Sequence, residues 1–224
     1  MIFMTKSKIW QIRLFFLIWL VFIKLFIKDS IFGFLLLNTF LGYIPIEVSF
    51  HIGDKPKQNI IVFWLLTLIW LMFYPNAPYI LTDLLHLSWL HPNGLNGLLK
   101  LDSHIWFLYT SLLISALTCA FIGFWGMINV AKAINKRLHL ENRFTDFIMT
   151  SLLIFLSSVG LYIGRFLRVH TVYLLANPKF YFKLFLNMWN QQMVIFVILM
   201  TIIQLIIYWI YTIIATNNYK KVEK

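Results

Sequence analysis

The chain has 224 residues, of which 61% are hydrophobic and 12% are charged. A soluble domain is about half apolar and about a quarter charged, so this composition excludes an ordinary soluble fold and predicts an integral membrane protein in a lipid bilayer. The net charge of +11 arises from 19 basic and 8 acidic residues; because basic residues commonly flank membrane spans and contact headgroups, we exclude nucleic acid as a partner.

Six stretches are apolar enough to predict spanning helices, since a span needs about 20 apolar residues. They are residues 10–27, 31–50, 60–74, 104–129, 146–163 and 193–215. We therefore predict an all-α, polytopic membrane helical bundle that forms a single domain over residues 1–224. The first stretch lacks a small-residue cleavage site and predicts a retained anchor, not a cleaved signal peptide.

Two further segments, residues 79–90 and 179–192, are too short to span and mix aromatic with polar side chains. This pattern is typical of short interfacial helices at the headgroup boundary. The fourth stretch carries small residues at four-residue spacing, which predicts a centrally packed helix. It also contains Cys119, the single cysteine, which we interpret as a small buried hydrophobe.

The distribution of positive charge predicts the orientation. With the N-terminus in the cytoplasm, most of the 19 basic residues fall on the inner side of the membrane. Both termini are then cytoplasmic, and the loops 75–103 and 164–192 both face outward.

The third stretch is followed directly by an unusual run, Pro75–Tyr79. Two prolines remove helix hydrogen bonds and push the preceding residues, Tyr74 and Ala77, towards extended or turn conformations. We expect Asn76 to cap a helix that resumes after Pro78, with its positive N-terminal end near the membrane boundary. Broken helices of this kind line ligand sites in transporters; the alternative is a proline-capped turn without a ligand.

Two ionisable residues follow this run. Asp83 and His86 lie three residues apart, so on a helix they share one face. Carboxylate and imidazole form acid/base pairs or bind metal, and Asp102 and His104 are weak additional candidates for a metal site. In the alternative, Asp83 pairs with an arginine and His86 hydrogen-bonds at the interface.

An arginine pair stands at the outer end of the fifth stretch. Arg165 and Arg168 follow the segment Gly160–Gly164 and are also three residues apart. Guanidinium groups suit phosphate or carboxylate, which favours an anionic small molecule or a lipid headgroup as ligand. The alternatives are an internal ion pair with Asp83 or Asp102, or snorkelling to headgroups.

Three segments together are similar to a known family. The chain resembles the Domain of Unknown Function 1361 family of bacterial integral membrane proteins. The first segment is Pro75–Ile80 with Thr82–Leu84 and His86–Leu87, the second is Gly164–Phe166 with Arg168, and the third is Asn38–Pro45. Family members usually continue after the second arginine with an Asn-Ser-Trp-Asp-like run, whereas residues 169–173 here lack the acidic residue. The family has no established activity, so the resemblance implies a fold and the location of a site.

We therefore predict an outward-facing polar site built from Asn76, Tyr79, Asp83, His86, Arg165 and Arg168. One hypothesis is a binding or transport-type protein, in which the arginines hold an anionic ligand and Asp83 pairs with an arginine or accepts a proton. A second is a membrane enzyme that uses Asp83 and His86 on a lipid-linked or cell-wall substrate. A third is a structural partner of another membrane protein. The pattern leaves the cofactor and the oligomeric state open.

Overall fold

The computed structural model describes residues 4–28, 31–53, 58–167, 183 and 185–222, with side chains described as far as residue 214. These residues form seven α-helices and no strand, which confirms the predicted all-α class. The chain folds as two compact units, Met1–Glu141 and Asn142–Lys224.

The helices of the first unit follow the predicted stretches closely. They are α1 (Lys6–Phe26), α2 (Phe34–Ser49), α3 (Ile60–Phe73), α4 (Asn76–Asp83) and α5 (Ser103–Arg137), with a 3₁₀ helix (Leu84–Leu90) after α4. Helix α5 extends beyond the predicted end at Asn129 because the residues that follow are still apolar on one side, and Val130 and Ala131 are buried. Asp102 begins this helix by accepting the amide of His104 at 2.8 Å.

The second unit contains two long helices. They are α6 (Arg143–Tyr162), which continues into a π-helical turn (Ile163–Leu167), and α7 (Gln191–Val222). Ser158 of α6 accepts hydrogen bonds from Thr201 and Gln204 of α7, each at 3.0 Å. Polar groups of this kind join helices within an apolar bundle, where they have few other partners. Of the predicted interfacial segment 179–192, residues 183 and 185–192 are described: residues 185–187 are helical, and α7 begins at Gln191. The other residues of the segment lie outside the described part of the chain.

Among the described residues, five helical stretches are long and apolar enough to cross a membrane, and they indicate a membrane-embedded protein. They are Lys6–Phe26, Ile60–Leu90, Ser103–Arg137, Arg143–Leu167 and Gln191–Ile214. Helix α2 has 16 residues, about 24 Å at 1.5 Å per residue, which is shorter than the roughly 30 Å hydrocarbon layer. The predicted count of six spans therefore stays a prediction.

Helix α5 lies at the centre of the first unit, as the small residues predict. Gly42 of α2 and Gly123 of α5 permit close contact with neighbouring helices: a Cβ added at Gly123 would lie 2.6 Å from the Cβ of Ala77. Trp19 of α1 donates to Ser115 of α5 at 2.8 Å. Cys119 is buried in this core, which confirms its interpretation as a small hydrophobe.

The prediction that Tyr74 and Ala77 leave the helical conformation is wrong. Tyr74 and Pro75 both have right-handed helical dihedrals, and Ala77 lies inside α4. Asn76 does not cap a later helix; it is the first residue of α4, and its amide donates to the carbonyl of Phe73 at 2.9 Å. The chain turns from α3 into α4 without an extended residue because proline is tolerated at a helix start and a side chain satisfies a released carbonyl.

Candidate functional site

A fully buried carboxylate lies at the end of α4. Asp83 is 0% exposed, although ionisable groups are rarely buried without partners. Asn38, in the second turn of α2, donates its amide to Oδ2 of Asp83 at 2.7 Å. This hydrogen bond joins two helices whose contributing residues are 45 positions apart in the chain.

His86 lies against the same carboxylate, as the three-residue spacing predicts. Its Nδ1 is 3.0 Å from the main-chain oxygen of Asp83 and 3.5 Å from Oδ1 of the same residue. A protonated Nδ1 donates at the shorter of these distances. The imidazole packs between Phe34, at 4.5 Å between ring centroids, and Trp89, at 4.3 Å.

The two ionisable groups differ in their access to solvent. The side chain of His86 is 14% exposed and that of Asp83 is 0% exposed. Of the two groups, the imidazole is therefore the more accessible from outside the protein. A buried carboxylate held by a neutral amide and by an imidazole can accept a proton or fix the orientation of the imidazole.

The proline turn itself offers few free donors to a ligand. The amides of Ala77 and Tyr79 donate to the carbonyls of Tyr74 and Pro75, at 3.0 and 3.1 Å, and Pro78 has no amide hydrogen. The hydroxyl of Thr82 donates back to the carbonyl of Tyr79. The predicted ligand-binding roles of Asn76 and Tyr79 stay predictions.

The predicted arginine pair belongs to the second unit. Arg165 is partly buried in the π-helical turn after α6, a distortion that is frequent at functional sites. Arg168 lies outside the described residues. The predicted roles of Arg165 and Arg168, and the alternative in which Asp83 pairs with an arginine, stay predictions.

Among the described residues, no three His, Cys, Asp or Glu side chains are grouped so as to hold a metal. Asp102 is engaged as the N-terminal cap of α5, and His104 is exposed in the first turn of that helix. The metal hypothesis for Asp83, His86, Asp102 and His104 therefore has no assembled ligand set in the part of the chain that the structure describes.

Sequence reasoning missed Asn38 as a member of this site. The available indication was a single amide within an otherwise apolar helix, where a polar residue is costly unless it has a partner. The partner itself was not predictable, because the contact joins distant parts of the chain.

A second polar cluster at the other end of α2 was also missed. Glu47 accepts from Arg13 of α1 at 2.5 and 3.0 Å and from the hydroxyl of Tyr43 at 2.7 Å. His51 lies 3.1 Å from the same carboxylate. The four-residue spacing of Tyr43, Glu47 and His51 places them on one helix face. Since this carboxylate is engaged by three neighbours, we interpret the cluster as a connection between α1 and α2.

The comparisons with known proteins identify the family of the chain. No curated protein matches the chain, and neither does any solved structure. A family model described as "Protein of unknown function (DUF1361)" matches residues 37–207. This match includes Asn38, the proline turn, Asp83 and His86 of the first unit, and it also includes Arg165 of the second unit. The chain belongs to the DUF1361 family.

Proposed function

We propose that this protein is a transport-type or binding protein of the bacterial cell membrane that takes up a proton at Asp83 when it binds an anionic ligand or lipid headgroup. The observation that carries the proposal is the complete burial of the Asp83 carboxylate beside Asn38 and His86. Ionisable residues inside membrane proteins are rare and commonly belong to proton relays or substrate pathways.

The geometry supports a defined order of proton movement. A proton arriving from outside the protein reaches His86 first, because the imidazole is partly exposed and Asp83 is not. Rotation of the imidazole that shortens the present 3.5 Å between Nδ1 and Oδ1 would then let the Nδ1 proton pass to the carboxylate. The imidazole is left neutral, with its remaining proton on Nε2. Asn38 keeps its hydrogen bond to the other carboxylate oxygen during this transfer, so the helices remain joined while the charge changes.

The proposal assigns binding of the anionic ligand to Arg165 and Arg168. Guanidinium groups donate paired hydrogen bonds to carboxylate and phosphate. Uptake of a proton at Asp83 would offset part of the negative charge that the ligand adds to the protein. Both termini are proposed to lie in the cytoplasm.

Titration calorimetry tests this proposal. Purified protein in phosphatidylcholine nanodiscs is titrated with short-chain phosphatidylglycerol and with inorganic phosphate, in two buffers that differ in ionisation enthalpy. We expect binding of one probe with a heat that depends on the buffer, since a proton is taken up. Asp83→Asn removes the buffer dependence, and His104→Gln, an exposed histidine of the same unit, keeps it.

Two results would contradict the proposal. Binding whose heat is the same in both buffers would show that Asp83 takes up no proton. If neither probe binds, the proposed anionic ligand is contradicted, and the protein is better explained as a structural partner of another membrane protein.

A membrane enzyme is the second candidate, and one observation favours it. The buried carboxylate lies beside a more exposed imidazole, and a carboxylate beside an imidazole can orient it as a general base. An enzyme predicts that His86→Gln retains ligand affinity and loses turnover of a lipid-linked substrate, whereas the binding proposal predicts a change in proton uptake alone.

A further inference from the structure

A cavity of about 290 Å³ lies beside the 3₁₀ helix, and neither Asp83 nor His86 lines it. Its lining is almost wholly apolar and includes two aromatic rings and one cation. The lining residues are Leu87, Pro92, Leu99, Lys100, Ile105, Trp106 and Tyr109. Its volume is near the lower end of ligand pockets, roughly 300–1,000 Å³, so it suits part of a slender molecule.

A compact hairpin forms one wall of this cavity. The amide of Lys100 donates to the carbonyl of Pro92 at 2.8 Å, and the amide of Gly94 donates to Leu98 at 2.8 Å. The hairpin nonetheless exposes apolar side chains: Leu101 is 99% exposed and Leu98 is 67% exposed. Exposed leucines of this kind on a membrane-embedded protein indicate contact with lipid.

The charge and the aromatic residues at the cavity point to one class of occupant. The ammonium group of Lys100 is held 2.9 Å from the carbonyl of His91. Of the described residues that line the cavity, two are ionisable, Lys100 and the phenol of Tyr109. Trp106 and Tyr109 pack edge to face at 5.6 Å, and such rings favour the headgroup level of a bilayer. An apolar cavity with a cation matches a molecule that has a hydrocarbon chain and an anionic head.

We propose that this cavity binds one acyl chain of an anionic phospholipid, whose headgroup contacts Lys100. The proposal depends on the lining of the cavity and on the exposed leucines of the hairpin, and it does not depend on proton uptake at Asp83.

Photo-crosslinking tests this proposal directly. Protein in detergent micelles is incubated with phosphatidylglycerol, or with phosphatidylcholine, that carries a photoreactive group on an acyl chain, and labelled peptides are mapped by mass spectrometry. We expect labelling to concentrate on residues 84–109, and to be stronger with phosphatidylglycerol. Lys100→Gln should lower phosphatidylglycerol labelling about fivefold. This factor corresponds to about 1 kcal/mol, the contribution of one basic residue near an anionic surface.

Two matched variants identify the cavity as the site. Leu87→Trp fills the cavity and should reduce labelling, whereas Leu101→Trp changes an exposed residue of the same hairpin outside the lining and should not. Labelling spread along the exposed faces of α1, or equal labelling by both lipids, would overturn the proposal. The labelling is measured without any readout of proton uptake, so failure here and failure of the proposed function are separate results.

Discussion

The hydrogen bond between Asn38 and Asp83 can be tested by exchanging the two residues. Asn38→Ala removes the donor and leaves Oδ2 of a buried carboxylate without it. Asn38→Asp places two carboxylates where 2.7 Å now separates donor from acceptor, which is unfavourable unless one is protonated. The double variant Asn38→Asp/Asp83→Asn restores one amide and one carboxylate at the same positions and keeps the net charge.

The expected magnitude follows from the chemistry of the pair. A hydrogen bond to a charged group contributes about 1.5–3 kcal/mol in soluble proteins, whereas hydrogen bonds between membrane helices average about 0.6 and reach about 1.7 kcal/mol. Since the acceptor here is a fully buried carboxylate, we expect Asn38→Ala to lower the free energy of unfolding by about 1–2 kcal/mol. The exchanged double variant should recover most of the loss caused by Asn38→Asp.

Equilibrium unfolding in mixed micelles, followed by circular dichroism, measures these changes. Asn129→Ala is a matched control, because Asn129 donates to the carbonyl of Trp125 in its own helix at 3.0 Å and bonds to no other helix in the described part of the chain. The reasoning is refuted if Asn38→Ala costs no more than Asn129→Ala, or if the double variant is no more stable than the sum of the single changes predicts.

Other predictions concern packing and topology. Gly123→Ala should destabilise the protein by about 1–3 kcal/mol, since its Cβ would overlap a neighbouring helix. Gly53→Ala should cause no such loss, because the space around Gly53 is open. Thermal unfolding compares the two variants. Ser158→Ala removes an acceptor shared by two side chains of α7 and should cost about 1 kcal/mol, whereas Ser157→Ala removes a buried hydroxyl with no partner among the described residues and should be neutral or stabilising in the same assay. A reporter enzyme that works only in the cytoplasm, fused after Lys224, should be active. An inactive fusion, together with activity of a reporter that works only outside the membrane, would show the opposite orientation.

Local patterns predicted the parts of the site that depend on neighbouring residues. Asp83 and His86 are three positions apart, so any helical backbone brings them to one face, and the structure does so. Small residues at regular spacing likewise predicted the central position of α5. Both predictions depend only on helix geometry.

Predictions that depended on competing local rules or on distant contacts were weaker. The proline rules favoured an extended Tyr74, but the side chain of Asn76 takes up a released carbonyl, so the chain continues with helical dihedrals. The contact of Asn38 with Asp83 and that of Arg13 with Glu47 each join helices distant in sequence. The spacing of residues within a single sequence does not indicate which side chains of different helices contact each other.

Infrared difference spectroscopy at two pH values tests the central claim most directly, namely that Asp83 takes up a proton through His86. Protein labelled with ¹³C-aspartate in nanodiscs is compared with Asp83→Asn, His86→Gln and the control His104→Gln. We predict a carboxylic acid band that appears on acidification, is absent in Asp83→Asn, is altered in His86→Gln and is unchanged in His104→Gln. A wild-type spectrum with no band that Asp83→Asn removes would show that Asp83 does not exchange a proton, and would contradict the account.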